Sequence, residues 1–156
     1  MYKQHNYSLL VQWTGNSGCG TESYRSYERS HTVVIDGKPP LECSSYIAFR
    51  GDKTKFTPEE LLVASLSGCH MLWYLHLCAE AGVVVVDYTD KAIGTMSENE
   101  RGGQFTEVSL HPTVKVAEAS MVEKALALHT RANELCFIAK SVNFPVYHHP
   151  SCQVQI

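Results

Sequence analysis

Apolar residues follow one another almost without interruption over residues 61–79, and this run is the strongest pattern in the chain. Thr57, Pro58 and Glu60 stand before it as a helix start, because Thr57 can cap the first turn and Glu60 can complete a capping box. Gly82 follows as a stop signal. The pattern predicts a long central helix that is apolar nearly all round, so we expect it to be buried on most of its faces.

The same run is long enough to be considered as a membrane span. However, His70 and His76 interrupt it, and Trp73 and Tyr74 lie in its middle, whereas a membrane span carries its aromatic residues near the interfaces. We therefore interpret the run as the buried core helix of a soluble protein.

Shorter patterns before the helix predict strands. Residues 6–13 alternate loosely, residues 21–28 resemble an exposed polar strand, and residues 31–35 form a β-branched run that ends at a turn signal. We expect these three strands to form an antiparallel meander. Residues 38–55 are the least regular segment, and we interpret most of them as a loop. Arg50 lies in that loop, where functional side chains are common.

Downstream of the helix, the pattern predicts a hairpin, a second helix and two short terminal strands. Ser120 and Glu123 have the spacing of a capping box at the start of the second helix. The expected bounds are 83–95 and 105–116 for the hairpin strands, 120–136 for the helix, and 144–147 and 152–156 for the terminal strands. Strands, long helix, hairpin, helix and strands together indicate an α+β fold with antiparallel sheets around the central helix.

Length and composition narrow the possible functions. The 156 residues fit a single domain over 1–156, and the formal net charge of −3 favours neither nucleic acid nor a membrane surface as partner. No apolar leader follows the first residues, so the expected location is the cytoplasm. Six cysteines without an export signal indicate reduced thiols, and the absence of a Cys-x-x-Cys pair weakens a zinc ribbon.

Two thiols stand out by position. Cys69 lies in the middle of the first helix, and Cys136 lies at the end of the inward stripe of the second helix. If the two helices pack together, these thiols become neighbours. Spacing alone supports this pairing weakly, because Cys78 and Cys136 satisfy the same packing argument nearly as well.

Residues 57–70, Thr-Pro-Glu-Glu-Leu-Leu-Val-Ala-Ser-Leu-Ser-Gly-Cys-His, resemble the first cysteine motif of the OsmC/Ohr family. These are the osmotically inducible and organic hydroperoxide resistance proteins. Residues 134–146 are similar to the second cysteine motif of that family, and both the Trp13…Gly20-Thr21 opening and the loop at 50–53 fit its OsmC-like branch. The resemblance covers essentially the whole chain.

The resemblance implies a thiol peroxidase without cofactor or bound metal. Cys69 takes the position of the peroxidatic cysteine, Cys136 that of the resolving cysteine, and Glu59 that of the active-site glutamate. Arg50 most nearly matches the arginine of the OsmC-like branch, although the loop differs slightly in length. The resemblance leaves the roles of the other four cysteines open: Cys19, Cys43, Cys78 and Cys152.

Two other arginines stay open as alternatives to Arg50. Arg25 and Arg29 lie in the segment of the first hairpin, from which the Ohr branch takes its arginine.

The resemblance also implies an intertwined homodimer with the long helices buried in its middle. The expected small-molecule partners are a peroxide and a dithiol reductant, and lipoyl groups serve as the reductant of some relatives.

The expected chemistry suits these residue types. A thiolate attacks the peroxide, so the pKa of Cys69 must fall, and a guanidinium oriented by a carboxylate can stabilise the anion. Glu59 is ten residues from Cys69, about 15 Å along a straight helix. We therefore predict a helix break near Ser67-Gly68, which would place Cys69 at a fresh helix N-terminus.

Three histidine-based possibilities remain beside this chemistry. His70 should point about 100° away from Cys69 around the helix and is a poor general base for it. His129 either faces the site or is a core histidine, and the second interpretation is favoured. His148, His149 and Cys152 could form a metal corner, but a solvated turn is the simpler interpretation.

Two rival functions are a non-catalytic small-ligand-binding module of the same fold and a cysteine-dependent hydrolase with a histidine base.

Overall fold

The computed structural model describes residues 3–156. The chain divides into two compact units, residues 1–61 and residues 62–156, and the single-domain assignment stays a prediction. Within residues 3–156, two α-helices and nine strands are joined by loops and three short 3-10 helices. In chain order the elements are β1 (Leu10–Trp13), β2 (His31–Val34), β3 (Leu41–Cys43), α1 (Pro58–Glu80), β4 (Val85–Asp90), β5 (Ile93–Asn99), β6 (Gly102–Leu110), β7 (Pro112–Val116), α2 (Val122–Leu135), β8 (Val146–His148) and β9 (Ser151–Val154).

The first unit contains an antiparallel sheet in the order β1-β2-β3. Its third strand comes from the segment that was expected to be a loop. The predicted strand over 21–28 is wrong, because this segment forms turns and only Tyr27 makes an isolated bridge, to Asn16. The amide oxygen of Asn16 accepts hydrogen bonds from the backbone N–H groups of Gly18 and Gly20, and these local bonds favour turns over a strand.

Arg29 holds the same turn segment together. Its guanidinium donates to the backbone oxygens of Tyr27 at 2.6 Å and of Tyr24 at 2.8 Å. It also lies over both tyrosine rings, 4.1 Å from the Tyr27 centroid and 4.2 Å from the Tyr24 centroid. The guanidinium of Arg29 therefore stabilises this turn segment of the first unit.

Both predicted boundary signals of α1 are confirmed. The backbone N–H of Glu60 donates to Thr57 Oγ1 at 3.2 Å, and the backbone N–H of Thr57 donates to Glu60 Oε2 at 2.9 Å, which completes the capping box. The helix ends at Glu80, and Gly82 follows with a φ of 72°, a left-handed conformation that glycine adopts without steric cost.

The predicted break in α1 is wrong, because the helix continues without interruption through Ser67 and Gly68. A glycine inside a helix costs only about 1 kcal/mol, which the packing of the apolar residues around it can offset. Ser67 does not compete for the helix backbone, since its hydroxyl donates to Asp90 Oδ2 at 2.5 Å.

One face of α1 is fully buried within the chain. It consists of Leu66, His70, Tyr74 and Cys78, which recur at every fourth position. Leu72, by contrast, is 65% exposed. The expectation that the helix is buried on most faces is therefore not met within a single chain. By length and hydropathy α1 also passes as a possible membrane span, a test that core helices of soluble proteins pass as well.

The second unit contains two three-stranded sheets, in the orders β4-β7-β9 and β5-β6-β8. The pairs β4/β7 and β5/β6 are antiparallel, whereas β7/β9 and β6/β8 are parallel. The prediction of purely antiparallel sheets is therefore wrong for the outer pairs. Each predicted hairpin strand also divides into two strands of different sheets, one at residues 91–92 and the other at His111.

The second helix begins later than predicted. A 3-10 turn over Ala119–Met121 precedes α2, and no side chain caps its first residue, Val122. The capping box of Ser120 and Glu123 is wrong, because the Ser120 hydroxyl bonds to Glu118 instead.

The second unit buries two apolar clusters, one for each half of α1. Leu66 packs with Val108 and Leu110 of β6. Further along the helix, Tyr74 and Cys78 pack with a cluster from β7 and α2 that consists of Val114, Val116, Ala125 and Ala132. Cys69 and His70 lie on α1 between these two clusters, so both clusters fix the part of the helix that carries them.

Candidate active site

Cys69 and Cys136 are brought together in the second unit. Cys69 is partly buried on α1, and Cys136 is 1% exposed at the point where α2 ends. The Cys69 thiol lies close enough to that of Cys136 to affect its ionisation. Cys136 leaves the helical conformation, with φ −63° and ψ 112°, and the backbone N–H of Ala139 donates to its Sγ at 3.4 Å. The end of α2 thus fixes the second thiol against the first.

The thiol of Cys136 resists ionisation. Burial, and then the neighbouring Cys69 thiol, raises the pKa of Cys136 to about 11. The Cys136 sulfur therefore stays protonated at neutral pH. A thiol that stays protonated is suited to react second rather than first.

The alternative partner, Cys78, has different surroundings. Cys78 belongs to the apolar cluster around Tyr74, and burial raises the pKa of its thiol. The continuity of α1 keeps it nine residues from Cys69, about 13 Å along the axis. This distance is beyond the reach of a disulfide.

An aromatic pair flanks the Cys69–Cys136 site. Trp73 lies one helical turn after Cys69, and Phe137 directly follows Cys136. The two rings are 5.5 Å apart and nearly perpendicular, at 82°. Phe137 is 64% exposed. An open, mostly apolar recess of about 320 Å³ lies beside Trp73 and is lined by Trp73, Leu72 and His76.

The predicted arginine and glutamate lie in the first unit, and they are not paired there. Arg50 has a left-handed backbone, with φ 64°, at the end of a 3-10 turn, and its side chain is exposed. Glu59 lies in the first turn of α1, and its Oε2 is buried without a hydrogen-bond partner among residues 3–156. A buried carboxylate oxygen without a donor is costly, so Glu59 is suited to receive a guanidinium.

The two alternative arginines, Arg25 and Arg29, differ in the contacts that their side chains make. Arg29 is occupied by its contacts with Tyr24 and Tyr27. Arg25 is exposed, and its backbone N–H donates to the Ser23 hydroxyl, whereas its guanidinium forms no hydrogen bond with any of the residues 3–156. Of the three arginines, Arg29 is therefore the one committed to the structure of the first unit.

The sequence did not indicate that two of its histidines form a buried pair. Nε2 of His70 lies 3.0 Å from Nδ1 of His129. Burial, and then the charge of neighbouring histidines, lowers the pKa of His70 to about 4 and that of His129 to about 3, so both are neutral at pH 7. The favoured interpretation of His129 as a core histidine agrees with its burial. Leu66, His70 and Tyr74 recur every four residues, and this helical stripe is the sequence signal for His70.

The histidines near the C-terminal strands do not form the metal corner. The ring of His148 stacks on His70, whereas that of His149 stacks on His111. Within residues 3–156, no group of three or more histidine, cysteine or acidic side chains has a geometry that could hold a metal ion. All six cysteines are free thiols.

Comparison with known proteins gives consistent matches. Residues 51–148 match the family model of the OsmC-like proteins. An OsmC-like protein of unknown function from Vibrio cholerae is 31% identical, and the match covers 95% of this chain and all of that chain with a TM-score of 0.84. A search among curated proteins returned no match.

Two more distant structures show the same fold. An organic hydroperoxide resistance protein from Elizabethkingia anophelis is 17% identical, with a TM-score of 0.70 over 99% of this chain and all of that chain. A protein of the same description from Legionella pneumophila is 19% identical, with a TM-score of 0.68 over 97% of this chain and all of that chain.

Proposed function

Because the chain belongs to the OsmC/Ohr family of OsmC-like proteins and has their α+β fold, we propose that it is a thiol-dependent peroxidase for organic hydroperoxides. Cys69 is the peroxidatic cysteine, and Cys136 is the resolving cysteine. The observation that carries this proposal is the meeting of two thiols at one site, where Cys69 on α1 is a neighbour of the buried Cys136 at the end of α2.

The reaction proceeds in three steps. The Cys69 thiolate attacks the terminal OH oxygen of the peroxide, an S–O bond forms as the O–O bond breaks, and Cys69 becomes a sulfenic acid. The alkoxide that leaves takes up a proton from water and becomes an alcohol. The thiol of Cys136 then condenses with the sulfenic acid, so that an S–S bond forms and water leaves. An external dithiol, such as a lipoyl group, finally reduces the disulfide by exchange and is itself oxidised.

The aromatic pair supports an organic peroxide as substrate. Trp73 follows Cys69 by one helical turn and Phe137 directly follows Cys136, so both rings offer apolar surface near these residues, and the recess lined by Trp73 is mostly apolar. An alkyl or aryl group on the peroxide gains by leaving water for such a surface, whereas hydrogen peroxide has no group to bury.

Arg50 and Glu59 complete the proposed chemistry. The guanidinium of Arg50 stabilises the thiolate and donates to the peroxide oxygens, and Glu59 orients it through a bidentate pair. Two features support these roles: Glu59 Oε2 is buried without a donor, and the Arg50 side chain forms no hydrogen bond or ion pair within residues 3–61.

The working form is proposed to be an intertwined homodimer. A single chain fully buries only one face of α1 and leaves Leu72 65% exposed. Val11 and Leu10 of β1 are also more than half exposed. A second copy of the chain would cover such apolar surface and remove it from water. We place the protein in the cytoplasm, where the disulfide can be reduced after each turnover.

One experiment tests the proposed function. The reduced protein is mixed with one equivalent of cumene hydroperoxide, and peptide mapping then locates the disulfide. We expect a Cys69–Cys136 disulfide and, with a dithiol present, continuous consumption of peroxide. If all six thiols remain reduced, the protein is a binding module rather than an enzyme. Turnover of an acyl ester without reductant would instead indicate a cysteine-dependent hydrolase.

A further inference from the structure

The hydrogen bond between His70 and His129 ties together the two helices whose thiols must react. Each histidine is 1% exposed, and the bond joins α1 to α2 at 3.0 Å. His70 directly follows Cys69. His129 lies seven residues before Cys136, about two helical turns before the end of α2. The histidine pair and the thiol pair are thus neighbouring links between the same two helices.

Packing alone does not explain this link. His70 Nδ1 and His129 Nε2 are buried without a hydrogen-bond partner among residues 3–156. A neutral histidine ring has a single N–H group. The ring that accepts the shared hydrogen bond therefore carries its own hydrogen on its outer nitrogen, where it has no acceptor. An unsatisfied buried donor costs about 1–3 kcal/mol. Two apolar side chains of similar volume would join the helices without that cost.

Flanking rings fix the orientation of the pair. The Tyr74 ring stacks on His129 at 3.8 Å and 12°, and the His148 ring stacks on His70 at 5.8 Å and 29°. The two bonded rings are themselves nearly parallel, at 10°. Neither ring can turn without disturbing a neighbour, so the link sets one separation between the helices.

We propose that His70 and His129 are positioning residues for the resolving step, and that they hold the end of α2 so that Cys136 meets the Cys69 sulfenate before a second peroxide does. This inference rests on the proposed peroxidase function. A disulfide requires its two Cβ atoms to lie about 3.5–4.5 Å apart, so a small shift of α2 slows its formation. The competing reaction oxidises the sulfenic acid to a sulfinic acid and reduces a second peroxide to alcohol.

Asparagine and glutamine variants of His70 and His129 separate the effect of the hydrogen bond from the effects of side-chain polarity and size. An asparagine amide reaches the position of histidine Nδ1, whereas a glutamine amide reaches that of Nε2. His129→Asn and His70→Gln can therefore keep the bond, and His129→Gln and His70→Asn should lose it. Each variant receives the same series of peroxide equivalents, and intact mass with peptide mapping gives the ratio of sulfinic acid to disulfide at Cys69. The rate of sulfenate formation is measured separately.

The expected result is a contrast within each matched pair. His129→Gln and His70→Asn should raise the ratio of sulfinic acid to disulfide roughly tenfold or more, because small misplacements slow a reaction strongly. His129→Asn and His70→Gln should stay near the wild-type ratio, and all four should form the sulfenate at the wild-type rate. A lower melting temperature with an unchanged ratio would show that the pair is only structural and would overturn the proposal.

Two controls keep the outcome decisive. If the mismatched variants do not fold, the double variant His70→Gln with His129→Asn decides, since an amide-to-amide bond should preserve the ratio and a raised ratio refutes the inference. If the wild-type chain itself forms no Cys69–Cys136 disulfide, the proposed function fails rather than this inference.

Discussion

The thiol of Cys136 is a neighbour of that of Cys69 at the point where α2 ends. Cys136 leaves the helical conformation directly after Leu135, and the backbone N–H of Ala139 donates to its sulfur at 3.4 Å. Peroxide chemistry at these two thiols can be tested residue by residue.

Cys69→Ser should abolish peroxide consumption, because a serine hydroxyl is not ionised at neutral pH and is a far weaker nucleophile. Consumption of cumene hydroperoxide in the presence of a dithiol measures the effect. Cys78→Ser is the matched control on the same helix and should keep its activity. Residual activity above about a tenth in Cys69→Ser would place the reactive thiol elsewhere.

Cys136→Ser should reduce roughly one equivalent of peroxide and then stall, because the Cys69 sulfenate has no thiol to condense with. Further peroxide should convert Cys69 to sulfinic and sulfonic acids, which intact mass detects. Under the same dose Cys78→Ser should form the normal disulfide. The opposite pattern, with over-oxidation in Cys78→Ser and a disulfide in Cys136→Ser, would refute the pairing.

Arg50→Ala should slow the attack on peroxide while the fold stays intact, because the exposed side chain contributes charge rather than core volume. The measurement is the pH dependence of Cys69 alkylation, in which the apparent pKa should rise. Arg25→Ala is the matched control. Should Arg25→Ala raise that pKa and Arg50→Ala leave it unchanged, the arginine has been misassigned. Arg29→Ala should instead destabilise the first unit, since it removes both of the guanidinium's hydrogen bonds.

Acid should destabilise the protein through the histidine pair. The pKa of His70 falls to about 4 and that of His129 to about 3 in the folded chain, mainly because of burial. Between those values and the ordinary value of about 6.5, the unfolded chain binds more protons, so the free energy of unfolding decreases as the pH falls through this window. The loss is roughly 3 kcal/mol for His70, at about 1.4 kcal/mol per pKa unit.

Urea unfolding at pH 4.5 and pH 7 measures this loss. The double variant His70→Leu with His129→Leu is the control, because it removes both titrating groups and keeps the site apolar. The pH dependence between these two values should flatten in the variant. An equal slope in wild type and variant would assign the acid sensitivity to other groups.

The chain should be a dimer at micromolar concentration, and Leu72→Glu should weaken it. Leu72 is 65% exposed on α1, and a carboxylate placed in an apolar interface would have to be desolvated. Sedimentation velocity gives the mass of each form. Glu100→Lys, at the exposed turn between β5 and β6, changes the charge elsewhere and should leave the dimer intact. A wild-type chain that stays monomeric would contradict the proposed assembly.

The sequence predicted best where the structure is decided locally. The start of α1 depends on Thr57 and Glu60, which bond to each other across one helical turn, and the family resemblance needed only the two cysteine motifs. The division between β4 and β5 was missed because it depends on which sheet each strand joins. That choice is made by strands far along the chain.

The candidate site was predictable to a similar, partial extent. The pairing of Cys69 with Cys136 came from the family resemblance, because helix positions alone left Cys78 open as well. The link between His70 and His129 joins two turns that no sequence pattern pairs. The break expected near Gly68 was wrong, since it was inferred from the distance to Glu59 rather than from a local signal.

The two parallel strand pairs of the second unit limit how early its sheets can be completed during synthesis. β8 and β9 are consecutive in the chain, yet β8 completes the sheet of β5 and β6 while β9 completes the sheet of β4 and β7. Neither sheet can acquire its third strand before that late part of the chain has left the ribosome. Until then, β6 and β7 expose backbone edges that can pair with other chains. We therefore expect this protein to be most prone to aggregation during synthesis, before β8 and β9 have paired.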